Sequence, residues 1–338
     1  MRKLILGLFT SGLALLAGCS NDNEPTAPPV ELVRILDGWA SWSPDGRYIF
    51  WGWDARDLEQ TSRYGTLSLW AYDFDTGHYG FFLGPAMFPK WNPDGTILAF
   101  NWGNRLYFYY SYSRTVRQVT NSIDISTFDW APTGQSLLIA NSAGTVIDTL
   151  GNAYRHLLPW NGSNGGWRGS GDGQWSGHGQ YILMDTMDTL DYSGILVLDS
   201  SGVIIDTIVR AESSHDLYDY ASWSPDESRI TANFTYIEGD SSLSDLRLLT
   251  SDGALEIIIS SKAGMAQWSP DGTKIAFQKY TFMAPAPSPL DLDYFRVTIW
   301  VCNADGSEMH ELLGWPQVGY DSTMFDGGYN WLTDTNDP

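Results

Sequence analysis

The sequence predicts an all-β protein, a β-propeller of six four-stranded blades with seven as the alternative, on three observations. A short phrase recurs as Trp42-Ser43-Pro44-Asp45-Gly46, Trp91-Asn92-Pro93-Asp94-Gly95, Trp223-Ser224-Pro225-Asp226 and Trp268-Ser269-Pro270-Asp271-Gly272, with weaker copies at Trp130-Ala131-Pro132-Thr133-Gly134 and Trp175-Ser176-Gly177-His178-Gly179. The six tryptophans lie 39 to 49 residues apart, the length of one blade. A second hairpin signal follows in every unit: Asp75-Thr76-Gly77, Ser111 to Arg114, Thr149-Leu150-Gly151, Ser200-Ser201-Gly202, Ser251-Asp252-Gly253 and Ala304-Asp305-Gly306.

Each unit then resolves into strands A to D. The phrase is a strand end and a turn: proline presets φ, aspartate bonds its own backbone, and glycine takes the left-handed closing residue. The segments that follow, such as Thr96-Ile97-Leu98-Ala99-Phe100, are apolar or alternating and read as strand B. The second hairpin separates apolar runs such as Ile195-Leu196-Val197-Leu198 and Val203-Ile204-Ile205, which are C and D. Aromatic residues make up 14% of the chain, with 16 tryptophans, which suits blades packed face to face. No amphipathic helical stretch follows residue 20.

These units, read as W-S-P-D-G-x-x-I-A-F followed by an apolar hairpin, resemble the TolB-like, WD-repeat-like β-propeller repeat of bacterial proteins over roughly residues 31–333. That resemblance implies the fold. TolB carries a separate α/β domain ahead of its propeller; no counterpart is expected here, so the roles of that domain are not carried over.

The first residues have the pattern of an export signal: basic Arg2-Lys3, an apolar stretch from Leu4 to Leu16 too short to cross a bilayer, and small residues before Cys19. Leu16-Ala17-Gly18-Cys19 resembles a bacterial lipoprotein signal, which implies cleavage before Cys19 and lipidation of that residue. Ser20 in the following position implies outer-membrane sorting. The expected organisation is signal peptide 1–18, flexible tether 19–30 with Pro25, Pro28 and Pro29, propeller 31–333 and a tail 334–338. The expected place is the cell envelope, periplasmic or surface-facing, with membrane contact through the anchor alone.

Charge narrows the partners. The formal net charge is −21, and loss of Arg2 and Lys3 with the signal makes it more negative still, which disfavours nucleic acid and contact of the propeller with anionic lipid. Cys302, the other cysteine, is expected as a small buried apolar residue on a third strand.

No catalytic motif is found. Propeller peptidases of the prolyl-oligopeptidase type add an α/β-hydrolase domain, but the chain has no G-x-S-x-G. Its five histidines, at 78, 156, 178, 215 and 310, lack H-x-x-x-H or H-E-x-x-H spacing. No metal or cofactor is expected. The turn aspartates Asp45, Asp94, Asp226 and Asp271 are read as structural because each has a local turn bond to make.

The opposite face is expected to bind, since its connections are longer and mix aromatics with carboxylates. The B–C connections are placed at Trp53 to Thr66, Met184 to Ser193, Tyr236 to Asp245 and Thr281 to Phe295. The D–A connections are placed at Pro159 to Asp172, Arg210 to Tyr220 and Trp315 to Tyr329. The candidate partner-binding residues are Trp53, Trp160, Trp167, His215, Tyr218, Asp219, Tyr294 and Tyr320. An aromatic offers flat apolar area, and a neighbouring carboxylate accepts hydrogen bonds from hydroxyl or amide.

The functional expectation is therefore a non-catalytic envelope lipoprotein that binds or scaffolds another protein. A carbohydrate-binding propeller is the second reading. A propeller glycoside hydrolase or lyase is third, with Asp216 and Asp219 as an acid pair facing the channel. For ring closure, Glu31-Leu32-Val33-Arg34-Ile35-Leu36 reads as an extra D strand before the first unit and Tyr329-Asn330-Trp331-Leu332 as an extra A strand after the sixth.

Overall fold

Twenty-four of the strands group into six antiparallel sheets of four, each beginning at the axis with the strand that carries a motif tryptophan. The computed structural model describes residues 35–55, 67–103, 105–120, 127–140, 144–157, 168–187, 192–239, 241–284, 294–312, 319–320 and 329–330. No helix occurs among them.

Blade 1 comprises β1 (Ile35–Trp42), β2 (Tyr48–Ala55), β3 (Leu67–Asp73) and β4 (His78–Gly84). Blade 2 follows as β5 (Met87–Trp91), β6 (Ile97–Trp102), β7 (Arg105–Tyr110) and β8 (Thr115–Gln118). Blade 3 is β9 (Thr127–Trp130), β10 (Ser136–Ala140), β11 (Thr145–Asp148) and β12 (Ala153–His156). Blade 4 is β13 (Arg168–Trp175), β14 (Tyr181–Met187), β15 (Ser193–Asp199) and β16 (Ile204–Arg210). Blade 5 is β17 (Leu217–Trp223), β18 (Arg229–Glu238), β19 (Ser241–Thr250) and β20 (Leu255–Ser261). Blade 6 is β21 (Ala263–Trp268), β22 (Lys274–Ala284), β23 (Tyr294–Asn303) and β24 (His310–Glu311).

Closure is visible in the core, which divides into six clusters, one per blade interface. Phe50 and Leu69 of blade 1 pack on Leu98 and Phe100 of blade 2, and so on around the ring. The last cluster joins Ala276, Ile299 and Val301 of blade 6 to Trp42, Ile49 and Trp51 of blade 1. Each blade alone would leave both faces wet, so burial of these faces is available only to the complete ring. Six blades close it; the seven-blade alternative is overturned.

The repeated phrase does mechanical work at one face. In blade 1 Ser43 Oγ donates to Asp45 Oδ1 (2.5 Å), the Arg47 N–H donates to the same carboxylate (3.1 Å), and Tyr48 N–H donates to Ser43 Oγ (2.9 Å). Gly46 closes the turn at φ 73°. Blades 5 and 6 repeat the pattern at Ser224–Asp226 and Ser269–Asp271. Blade 5 has Glu227 where the others have glycine, held left-handed at φ 60°; its Oε1 accepts the His178 N–H (2.8 Å) and lies 2.9 Å from His178 Nδ1, tying blade 4 to blade 5.

The first and last described strands pair with blades 6 and 1 in ways the repeats do not announce. Residues 31–34 lie outside the described residues, and Ile35 and Leu36 belong to β1 itself, where Leu36 pairs in parallel with Val297 on the outer edge of β23. The extra A strand expected at 329–332 is a correction: β25 (Gly319–Tyr320) and β26 (Tyr329–Asn330) run parallel to β4 and cover the outer edge of blade 1. An edge covered from the far end of the chain is protected from pairing with strangers. The Tyr236 to Asp245 connection is a second correction, since β18 and β19 pair from Arg229–Thr250 through Glu238–Ser241, so most of that stretch is strand. Cys302 sits on β23, as expected, at 1% exposure, and burial pushes its thiol up to about 11.

Candidate functional site

The axis of the ring is walled by the innermost strands. Three residues before each motif tryptophan stands a side chain that faces it: Trp39, Phe88, Thr127, Asp172, Tyr220 and Met265, one from each blade, all lining a central cavity of about 60 Å³. β1, β5, β13, β17 and β21 each carry a bulge near this point. At four of the six positions the bulged residue is a non-glycine held left-handed, with φ 57° at Trp39, 52° at Phe88, 51° at Tyr220 and 53° at Met265. Such residues each cost of order 1–3 kcal/mol and persist where packing over-determines them. Here the bulge turns a side chain from the blade interface toward the axis. Trp39 and Phe88 meet at 3.9 Å between ring centroids and make an aromatic wall.

One residue before the tryptophans lies a polar ring containing Lys90, Asp129, Gln174 and Gln267. Lys90 Nζ donates to Gln267 Oε1 (2.5 Å) and lies 3.7 Å from Asp129 Oδ1. Asp129 Oδ2 and Gln174 Oε1 accept the backbone N–H of Trp175 and Trp223 in the next blades (3.0 and 2.7 Å). The indoles of Trp42, Trp130 and Trp268 donate across the interfaces to the carbonyls of Gln267, Lys90 and Ser222.

Four carboxyl groups concentrate here on blades 3 to 5. Burial pushes Asp129 up to about 6 despite the opposing pull of Lys90. Asp172 accepts from Thr127 Oγ1 (2.5 Å) and from the Gly173 N–H (2.9 Å), and burial still raises it. Asp185, on β14 at 1% exposure, is raised well above the carboxylate range by burial and by Asp172 and Asp219, although it accepts the backbone N–H groups of Tyr220 and Ala221. Burial and the charge of Asp172 push Asp219 up to about 7 against a hydrogen bond from Asn233. Asp185 Oδ2 and Asp219 Oδ1 are buried without any hydrogen-bond partner. The same carboxyls help raise the phenols of Tyr220 and Tyr280, for which burial is the first cause.

The residues singled out from sequence are only partly gathered at this place. Asp219 belongs to the carboxyl group, on β17. Its neighbour Tyr218, expected on a loop, is a strand residue at 7% exposure that packs on Phe234 and accepts from Arg247 Nη1 (2.8 Å), so it is core of blade 5 rather than free surface. His215 is exposed between β16 and β17, its N–H donating to Ser213 Oγ (3.1 Å). Trp53, Tyr294 and Tyr320 are described by their strand pairing, opposite Ser68, Ala284 and Tyr79. Trp160, Trp167 and Cys19 lie outside the described residues. Asp129, Asp172, Asp185 and Lys90 were missed; counting back three and one from each tryptophan would have found all but Asp185. Among the described residues no three of His, Cys, Asp or Glu are placed to hold a metal ion.

No protein-family model and no curated protein matches the sequence. Among solved structures, a protein assigned as TolB from Agrobacterium tumefaciens is similar, at TM-score 0.54 and 21% identity over 71% of this chain and 86% of that one. An oligogalacturonate lyase in complex with manganese aligns at TM-score 0.48 and 11% identity, over 82% of this chain and 77% of that one. The Pyrococcus horikoshii acylaminoacyl peptidase aligns at 0.48 and 14%, over 80% of this chain and 51% of that one. The likeness is one of fold: the chain is a six-bladed propeller, similar in fold to the Agrobacterium tumefaciens protein.

Proposed function

We propose that this protein is a lipid-anchored component of the bacterial cell envelope whose propeller binds another protein without catalysis, at the mouth of its axial channel and the longer connections around it. The observation that carries the reading is the ring of Trp39, Phe88, Thr127, Asp172, Tyr220 and Met265, which brings one chemically distinct side chain from every blade to a common point. Left-handed backbone maintained at four of these positions is a standing cost, and such strain concentrates where a ligand is held. The turn face offers no such convergence, because its carboxylates are consumed by their own turns.

The anchor and the domain limits 1–18, 19–30, 31–333 and 334–338 belong to the same proposal and rest on the residues around Cys19. Metabolic labelling with a palmitate analogue should mark the wild-type chain and not Cys19→Ser. Cross-linking in native envelopes then tests recognition. A partner captured by the wild type should be lost with Trp39→Ala or Trp160→Ala and kept with Asp45→Ala on the turn face. Capture that depends on the turn face instead would contradict the reading. Signal on a glycan array would favour the carbohydrate reading, and turnover abolished by a single Asp→Asn change would favour the enzymatic one.

A further inference from the structure

We infer that the axial cavity takes a phenol, the side chain of a tyrosine carried by the partner, with its ring against blades 6, 1 and 2 and its hydroxyl toward blade 4. The inference rests on reading the channel as the recognition end and adds the chemistry of the group recognised.

The six residues around the axis divide into two halves. Met265, Trp39 and Phe88 come from the consecutive blades 6, 1 and 2 and make an apolar half; Thr127, Asp172 and Tyr220 come from blades 3, 4 and 5 and make a hydrogen-bonding half. Left-handed backbone, at φ 53°, 57° and 52°, turns each of the three apolar side chains to the axis and leaves it half-buried. Large apolar groups held at a wet opening gain nothing from water, whereas a ligand with an apolar face covers all three at once. The Trp39 and Phe88 rings, tilted by 42° to each other, offer both a face and an edge to a third ring, and Met265 adds a thioether that packs well on an aromatic edge.

The other half accepts hydrogen bonds. Thr127 Oγ1 and the Gly173 N–H both donate to Asp172 Oδ1, at 2.5 and 2.9 Å, so the Thr127 hydroxyl proton is spent and Asp172 Oδ2 accepts no bond among the described residues. A donor on the ligand therefore meets an acceptor across from the apolar wall.

Size and charge select the donor. The cavity of about 60 Å³ has room for about four water-sized atoms, the hydroxyl end of one side chain, with the rest of the ring at the mouth. A pyranose carries hydroxyls around its whole rim and would turn some of them onto the apolar half. Lys90 also lines the cavity, and its charge acts on both Asp172 and Asp129, so an entering cation meets one already in place while a neutral hydroxyl is not repelled. Tyrosine joins a flat apolar body to a neutral donor at its tip.

The test uses the full chain carrying carbon-13 in its methionine methyl groups, with the Met265 signal identified by its loss in Met265→Leu. The probes are N-acetyltyrosinamide, N-acetylphenylalaninamide, N-acetyllysinamide and methyl glucoside. The tyrosine probe should shift the Met265 signal saturably, the phenylalanine probe should bind about tenfold more weakly, and the other two should leave the signal unmoved. Asp172→Ala should bring the tyrosine probe down to the level of the phenylalanine probe without weakening the latter. Should that variant fail to fold, the ratio of the two aromatic probes on the wild type decides alone.

Equal binding of the two aromatic probes, a larger shift with the lysine probe or the glucoside, a tyrosine preference that survives Asp172→Ala, or no saturable shift at all would overturn the inference. Partner capture undiminished by saturating N-acetyltyrosinamide would sink this inference and leave the functional reading standing. The tyrosine probe seated in the channel of a protein that captures no partner would do the reverse.

Discussion

Aspartates at the turn face and aspartates at the channel have opposite chemistry: the turn aspartates sit at equivalent points of their blades, whereas the channel aspartates come from different positions of blades 3 to 5. At the turns Asp94, Asp226 and Asp271 are held below the usual carboxylate range by hydrogen bonds from side-chain hydroxyls and backbone N–H groups one or two residues away. The C–D hairpins repeat this at Asp148, Asp199, Asp252 and Asp305. In the channel Asp129, Asp172, Asp185 and Asp219 are raised, with burial first among the causes. A turn aims several donors at one side chain, whereas a strand spends its N–H groups on its neighbours and leaves a side-chain carboxylate dependent on whatever lies across the axis. A strongly negative formal charge therefore overstates the charge of the channel and describes the turn face well.

The largest expected effect probes what both regions stand on. Trp130 is 5% exposed and bonds the Lys90 carbonyl at 3.0 Å, so Trp130→Ala should lower stability by about 3–5 kcal/mol in urea unfolding. A loss under 1 kcal/mol would show that the interblade tryptophans are not what closes the ring.

Next in size is Asp185→Asn. Asp185 has its folded pKa raised, so folding takes up a proton: stability is fullest at low pH and is lost as pH rises through the folded value. The asparagine should therefore be more stable than the wild type by roughly 1–3 kcal/mol at pH 9, with the gain vanishing below the unfolded carboxylate value of about 3.9. On the turn side the sign reverses. Asp271→Ala should cost about 1–2 kcal/mol at neutral pH, and because the Asp271 pKa is depressed, that contribution persists down to the unfolded carboxylate value and fades below it.

The smallest effect is Glu227→Gly. Glycine relieves a left-handed strain of about 1 kcal/mol, while loss of the carboxylate frees His178 from its partner, so the net change should fall within about 1 kcal/mol. A large loss would mean that the blade 4 to blade 5 tie matters more than turn geometry.

What could be read from sequence was whatever the local chain determines. Trp-Ser-Pro-Asp-Gly fixes its turn with its own atoms, so blade number, the structural role of Asp45 and the buried Cys302 were all accessible. The channel was not, because in five of the six blades the side chain three residues before the tryptophan reaches the axis at a bulge, which Trp39 and Phe88 do not announce by their type. Tyr218 went to the wrong class for the same reason: the stretch Arg210 to Tyr220 is polar and aromatic like a loop, yet β17 begins at Leu217 and buries it. Partners distant in sequence were also hidden, as the parallel contact of Tyr329 with Leu83 shows. Asp185 is unreadable alone; its chemistry comes from burial and from Asp172 and Asp219 on other strands.

The division of the aspartates is tested most directly by following their side-chain carboxyl carbons by NMR as pH is raised. Two populations should separate: Asp94, Asp226 and Asp271 with midpoints below the ordinary carboxylate value of about 3.9, and Asp219 titrating at about 7 with Asp129 at about 6. A single population near 4 would contradict the account, leaving the channel with no more claim to function than the turns.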